Sequence, residues 1–272
     1  MRIVSLLPSA TDIIVALGAQ AHLVGVSHSC GDRWAGLPRL TSTWLDVNAA
    51  SHVIDQNVRA ASRPLYELDE ATLRTLAPDV IISQSLCDVC AVPSGDVRDV
   101  VPSLPGPPVL VDLTPSRLSD VPGCFEAVGA AIDHVGQAAS LVAHWHAELG
   151  RHRQRFAGTD LRVAFLDWLD PPFAAGHWIP DMLTWLGVES VLARSGESSF
   201  RITWEEVEAA RPDLVIAACC GFDRERVEAD LNTAPVTTVA LDGHALFSRP
   251  SPALLPSLEL LSQTIAEHLA SG

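Results

Sequence analysis

The chain has 272 residues, enough for one large domain or two smaller lobes, and its 48% hydrophobic and 19% charged residues describe a folded globular protein. A formal charge of −15 excludes nucleic acid and anionic membrane surfaces as natural partners, because both select a basic face. No apolar run approaches the length of a membrane span, which excludes insertion as a helix.

The opening Met1-Arg2-Ile3-Val4-Ser5-Leu6-Leu7-Pro8 reads as a first β-strand. Its apolar stretch is only a few residues long and no small-residue cleavage site follows, unlike a secretory leader. Six cysteines are too sparse for a disulfide scaffold and suit a reducing compartment. The chain as it stands is therefore expected in the cytoplasm, or in the periplasm or at the cell surface once a leader has been removed.

A helix is predicted from Ser9-Ala10-Thr11-Asp12, with a capping-type Ser or Thr ahead of its apolar residues. The strands HLVGVS, DVIIS and PVLVDL follow, and the second half supplies LRVAFLDW, a helix over 180–186, DLVIAAC and VTTVAL. Short β-rich runs alternating with helical patterns predict parallel sheets of the α/β class. LAPDVIIS at 76–83 matches ARPDLVIA at 210–217, each after a helical run, and PVLVDLT and VTTVALDG repeat the likeness in the same order. In both copies proline ends a helix and the chain turns into a buried strand. Two such phrases in order predict two similar lobes.

Between the halves, Val135, Ala138, Val142, Trp145 and Leu149 form one stripe at steps of three and four, which predicts a long helix through the region 117–158. The expected domains are 1–116, an N-terminal α/β lobe; 117–158, a connecting helix acting as a stiff spacer; and 159–272, a C-terminal α/β lobe with a final helix. Ligands of open parallel sheets sit beyond the carboxyl ends of the strands. The chemically notable residues fall at those ends: His28 and Cys30 after HLVGVS, Cys87 and Cys90 after DVIIS, His177 and Trp178 after VAFLDW, Cys220 and Phe222 after DLVIA, Phe247 and Arg249 after VTTVALDG.

RIVSLLPSATDIIVALGA, LVGVSH, PDVIIS, PPFAAGHW and PDLVIA, in this order and spacing, resemble the helical-backbone (class III) substrate-binding proteins of ABC importers, the cobalamin and iron-siderophore type, and most of all its cobalamin-binding branch. The resemblance covers nearly the whole chain. It implies two Rossmann-like lobes with parallel sheets joined by one long backbone helix, a ligand cleft between them, and non-catalytic binding of cobalamin or a related corrinoid or metal chelate. It also implies delivery to an ABC permease, for which such proteins present an acidic residue on each lobe; the counterparts here are Asp96, and Asp223 or Glu225. Siderophore and haem binding are within the same family's range.

The thiols leave several readings open. A redox Cys87-x-x-Cys90 pair should open a helix at once, but AVPSGD intervenes and Ser94 is the better cap for the next helix. His28, Cys30, Cys87 and Cys90 come from neighbouring strand ends and have the soft-ligand chemistry for zinc or iron, or for one imidazole or thiolate to cap a corrin cobalt. The alternative is that these cysteines are small apolar fillers, and a cytoplasmic metal-binding protein or enzyme built on the quartet is the competing function. The adjacent Cys219 and Cys220 must point in different directions. Trp44 and Trp178 sit in cleft-side loops, where indole faces suit a large flat macrocycle, while Trp145, Trp185 and Trp204 read as core. His177 and Arg249 either reach the ligand or pin their own loops. Asp167 and Asp170 lie near a strand end without a nucleophile beside them, and no phosphate loop, GxSxG or HExxH is present, so no catalytic residue and no required cofactor is expected.

Overall fold

The computed structural model describes residues 1–86, 92 and 94–271. The chain divides into two compact units, one of residues 1–49, 56–115 and 121–144, the other of residues 50–55, 116–120 and 145–272.

The first unit contains, in chain order, β1 (Ile3–Ser5), α1 (Pro8–Ala16), β2 (Leu23–Val26), β3 (Thr41–Thr43), the second half of α2 (Ser51–Ala60), β4 (Tyr66–Leu68), α3 (Glu70–Leu76), β5 (Val80–Gln84), α4 (Ser94–Val100), β6 (Val109–Leu113) and α5 (Val121–Ala131). Its parallel sheet has the order β2-β1-β5-β6, and β3 and β4 form a separate antiparallel pair. The two central strands are buried along their whole length, as strands covered on both faces must be. Alternate side chains serve opposite faces: Val4 and Ile81 join Leu40, Leu73, Val97 and Leu104 in one core cluster. α1 differs from expectation. It opens at Pro8, Leu7 caps it without a side-chain bond, and Ser9 and Thr11 are buried inside it. Proline supplies the first turn because its missing N–H costs nothing there.

The predicted connecting helix is two helices, α5 and α6 (Val135–Arg151). Asp133 takes a left-handed φ of 59°, and the His134 N–H donates to Gly129 O at 2.7 Å. Along the expected stripe Ala138, Trp145 and Leu149 are buried, but Val135, the first residue after the break, is 64% exposed. α6 carries the boundary between the units, at His144 and Trp145.

The second unit continues with β7 (Arg162–Leu169), β8 (Pro172–Ala174), α7 (Ile179–Leu186), β9 (Glu189–Val191), β10 (Phe200–Arg201), α8 (Trp204–Ala209), β11 (Leu214–Ala217), α9 (Arg224–Asp230), β12 (Thr238–Ala240), a π-helical turn at Gly243–Phe247 and α10 (Leu254–Ser271). Its sheet runs β10-β8-β7-β11-β12, with β9 parallel to the start of β7. The start of α2 belongs here: Ser51 donates to the buried Asp230 carboxylate, and Asp55 accepts from Arg201 at 2.7 Å. His52 lies 3.1 Å from Asp170.

The sequence repeat is a structural one. In the first unit the Arg2 N–H donates to Asp79 at 2.6 Å and its guanidinium to Leu76 O at 2.7 Å. In the second the Arg162 N–H donates to Asp213 at 2.8 Å and its guanidinium to Ala210 O at 2.9 Å. Both copies reach their Pro-Asp through a left-handed residue, Ala77 and Arg211. The same clasp thus registers β1 beside β5 and β7 beside β11.

Candidate ligand-binding loops

In the first unit the loop after β2 is held by Arg39, whose guanidinium donates to Ser27 O at 3.0 Å, Cys30 O at 3.2 Å and Gly31 O at 2.7 Å. This clamp fixes where His28 stands. His28 is half-buried, its Nδ1 lies 2.7 Å from Thr41 Oγ1, and its ring packs on Tyr66 at 5.6 Å between centroids. Burial lowers its pKa, and the Arg39 charge lowers it further. Cys30 is turned inward, 4% exposed, with Sγ 3.2 Å from Thr11 Oγ1. Trp44, just past β3, is half-buried; its indole N–H donates to Pro64 O at 2.9 Å and Arg63 lies over its ring.

Cys87 and Cys90 lie outside the described residues, and so does the test of their pairing. Among the described residues no three His, Cys, Asp or Glu side chains are grouped to hold a metal ion. Of the described half of the expected quartet, Cys30 turns toward the Thr11 hydroxyl and His28 toward that of Thr41.

In the second unit the end of β7 carries Asp167 and Trp168. The Trp168 ring lies 4.7 Å from Phe222, and Arg226 covers Phe222 at 4.7 Å. Asp167 is half-buried, and its pKa is pushed up to about 7, first by burial and then by the neighbouring Cys220. Hydrogen bonds from the Ser199 hydroxyl and the Gly176 N–H oppose that rise without cancelling it. Gly176 is required there, because a Cβ would stand 2.2 Å from Glu197 O. His177 follows with a left-handed φ of 50°, its N–H donating to Glu197 O at 2.6 Å. The His177 ring stacks on Trp178 at 5.5 Å, and burial lowers its pKa.

Two expected ligand contacts are core side chains. Trp178 is 6% exposed and donates its indole N–H to Phe247 O at 2.9 Å. Phe247 is 2% exposed and packs on Phe165 at 5.2 Å. Their position after strands suggested a loop surface, but Trp178 sits immediately ahead of α7 and turns into the unit with that helix. Phe222 is also buried and reaches the strand end only through its contact with Trp168. Cys219 is buried, with its thiol pKa raised first by that burial, whereas Cys220 is exposed. Arg249 donates to His244 O at 2.7 Å and lies 2.9 Å from His244 Nε2, which ties down its own loop. Of the acidic residues, Asp96 and Glu225 are exposed in the first turns of α4 and α9, while Asp223 caps α9 through Arg226 N–H.

Arg39, Thr41, Tyr66 and Ser199 escaped the sequence reading. The single tyrosine was the available signal, being the one ring of its kind in the chain; the others act through hydrogen bonds that spacing does not reveal.

Solved structures share this architecture. The periplasmic vitamin B12 binding protein BtuF of Vibrio cholerae is 18% identical with a TM-score of 0.70, over 98% of this chain and 97% of its own. The periplasmic heme binding protein HutB of Vibrio cholerae is 18% identical with a TM-score of 0.69, over 97% and 98%. The periplasmic heme-binding protein RhuT from Roseiflexus sp. RS-1, in apo form, is 21% identical with a TM-score of 0.70, over 98% of each chain. At these identities the likeness concerns the fold. No curated protein matches the sequence. Among the described residues no helix is long and apolar enough to cross a membrane. The family model described as periplasmic binding protein matches residues 3–238, and with a parallel sheet in one unit and a mixed, largely parallel sheet in the other the chain belongs to the periplasmic binding protein family.

Proposed function

We propose that this chain is a non-catalytic binding protein for cobalamin or a related corrinoid or metal chelate, taken at the loops beyond the carboxyl ends of its strands, as the substrate-binding component of an ABC importer. The observation that carries the reading is the set of aromatic rings in or beside the strands and loops of that region in each unit. His28 with Tyr66 and the half-buried Trp44 stand in the first, and half-buried Trp168 against Phe222 stands in the second. Partly uncovered rings suit a broad flat ligand, since they offer apolar area with few polar demands. Membership of the binding-protein family supports the same reading. Haem is the second reading, favoured by the names of HutB and RhuT.

Titration of the protein with cobalamin and, separately, with haemin tests both through tryptophan fluorescence. Saturable quenching by cobalamin at one equivalent is expected, with Trp44→Ala weakening it by about tenfold, the equivalent of ~1.4 kcal/mol. Quenching by haemin alone would transfer the reading to haem, and saturation by neither would remove it.

A further inference from the structure

Three polar side chains at the start of α2 reach into the second unit, and all three lead to the same pair of rings. Ser51 and Asp55 stand one turn apart on one face of the helix and are 3% and 9% exposed. Ser51 donates to the Asp230 carboxylate, whose other oxygen accepts from the Arg226 guanidinium at 2.7 Å. So held, Arg226 lies 4.7 Å over the Phe222 ring, and Phe222 backs Trp168 at 4.7 Å.

The other two paths arrive at Trp168 directly. His52 Nδ1 lies 3.1 Å from the Asp170 carboxylate, and the Asp170 carbonyl accepts the Trp168 indole N–H at 3.2 Å. Asp55 accepts from Arg201 at 2.7 Å. Arg201 in β10 stands opposite Phe173 of β8, and Phe173 stands opposite Trp168 of β7. Phe222 is buried and Trp168 half-buried, so of the two rings it is Trp168 that offers surface to a ligand.

An indole left to swing must be ordered by each arriving ligand, and that cost is subtracted from affinity. An indole already fixed by its neighbours carries no such cost. The Ser51–Asp230–Arg226 chain suits this task, because hydrogen bonds to ionised groups are stronger than neutral ones and a guanidinium over a ring face adds a cation–π attraction. We infer that Ser51, Asp55, Asp230 and Arg226 are positioning residues for ligand binding: the start of α2 presets the angle of Trp168, and with it the affinity for a broad flat ligand. The inference rests on the function just proposed, in which Trp168 meets that ligand. Sequence spacing conceals the arrangement, since His52 and Asp170 are 118 residues apart.

The test uses the whole chain and reads Trp168 twice. Near-ultraviolet circular dichroism of the parent minus that of Trp168→Phe isolates the signal of this indole without any ligand. The same difference taken in a Ser51→Ala background should be smaller, while the far-ultraviolet spectrum holds. In calorimetric titration with cobalamin and with haemin, Ser51→Ala and Arg226→Met should each weaken binding about fivefold, the effect of one hydrogen bond. In a Trp168→Ala background neither substitution should cost anything further, because both act through the indole. An unchanged Trp168 signal in Ser51→Ala, or losses that simply add in the double variants, overturns the inference and leaves the proposed function standing. A parent that binds neither cobalamin nor haemin overturns the proposed function and the positioning role together.

Discussion

Asp167 shows how surroundings reverse the usual contribution of a carboxylate. Burial and the adjacent Cys220 hold its pKa near about 7 against an ordinary 3.8. The folded protein therefore binds this proton more tightly than the unfolded chain does. Its contribution to stability is complete below about pH 3.8 and is lost as pH rises through about 7. Asp167→Asn should raise the melting temperature relative to the parent at pH 8, and the advantage should vanish at pH 4; equal midpoints at pH 8 would refute the assignment. Trp178 belongs to the same scale. With its indole N–H bonded to Phe247 O and its ring enclosed, Trp178→Ala should lower stability by about 3–5 kcal/mol in chemical denaturation, whatever it does to binding.

At the scale of elements, two devices decide geometry. One is the Arg-Asp clasp found once in each unit. Asp79 and Asp213 each accept a backbone N–H from the neighbouring strand, and Arg2 and Arg162 each bond the last carbonyls of the preceding helix. The other is the turn between α5 and α6. Alanine at Gly129 would by helix propensity add stability, by about 1 kcal/mol. Its Cβ, however, would stand 2.5 Å from Ala138 Cβ and 3.2 Å from His134 O. Neither neighbour is the end of a flexible chain, so steric cost outweighs propensity. Gly129→Ala should destabilise by about 1–3 kcal/mol, measured by urea unfolding.

Across the whole molecule, Trp145 is the largest of the fully buried side chains, 1% exposed in α6. Trp145→Ala should cost about 3–5 kcal/mol of stability while the ligand affinity of the folded protein holds. Trp44→Ala should do the converse. The alternation of strands and helices, the buried central strands and the repeated Pro-Asp phrase were legible in the sequence because period and punctuation are local properties of a chain. The expected divergence of Cys219 and Cys220 is seen, one buried and one exposed, but in the turn just past β11 and not along the strand. The clasping arginines were not legible, since Arg2 and Arg162 lie 77 and 51 residues from their carboxylates. Nor was the split of the connecting region into α5 and α6: the expected stripe begins only at Val135, just past the turn at the left-handed Asp133. The sequence by itself determined which segments become strands and helices and which loops follow the strand ends. Only the tertiary structure decided that Trp178 and Phe247 turn inward, that burial raises the pKa of Asp167, and that His28 Nδ1 meets the Thr41 hydroxyl. Those outcomes depend on burial and on partners brought from distant parts of the chain, and neither is written in local spacing.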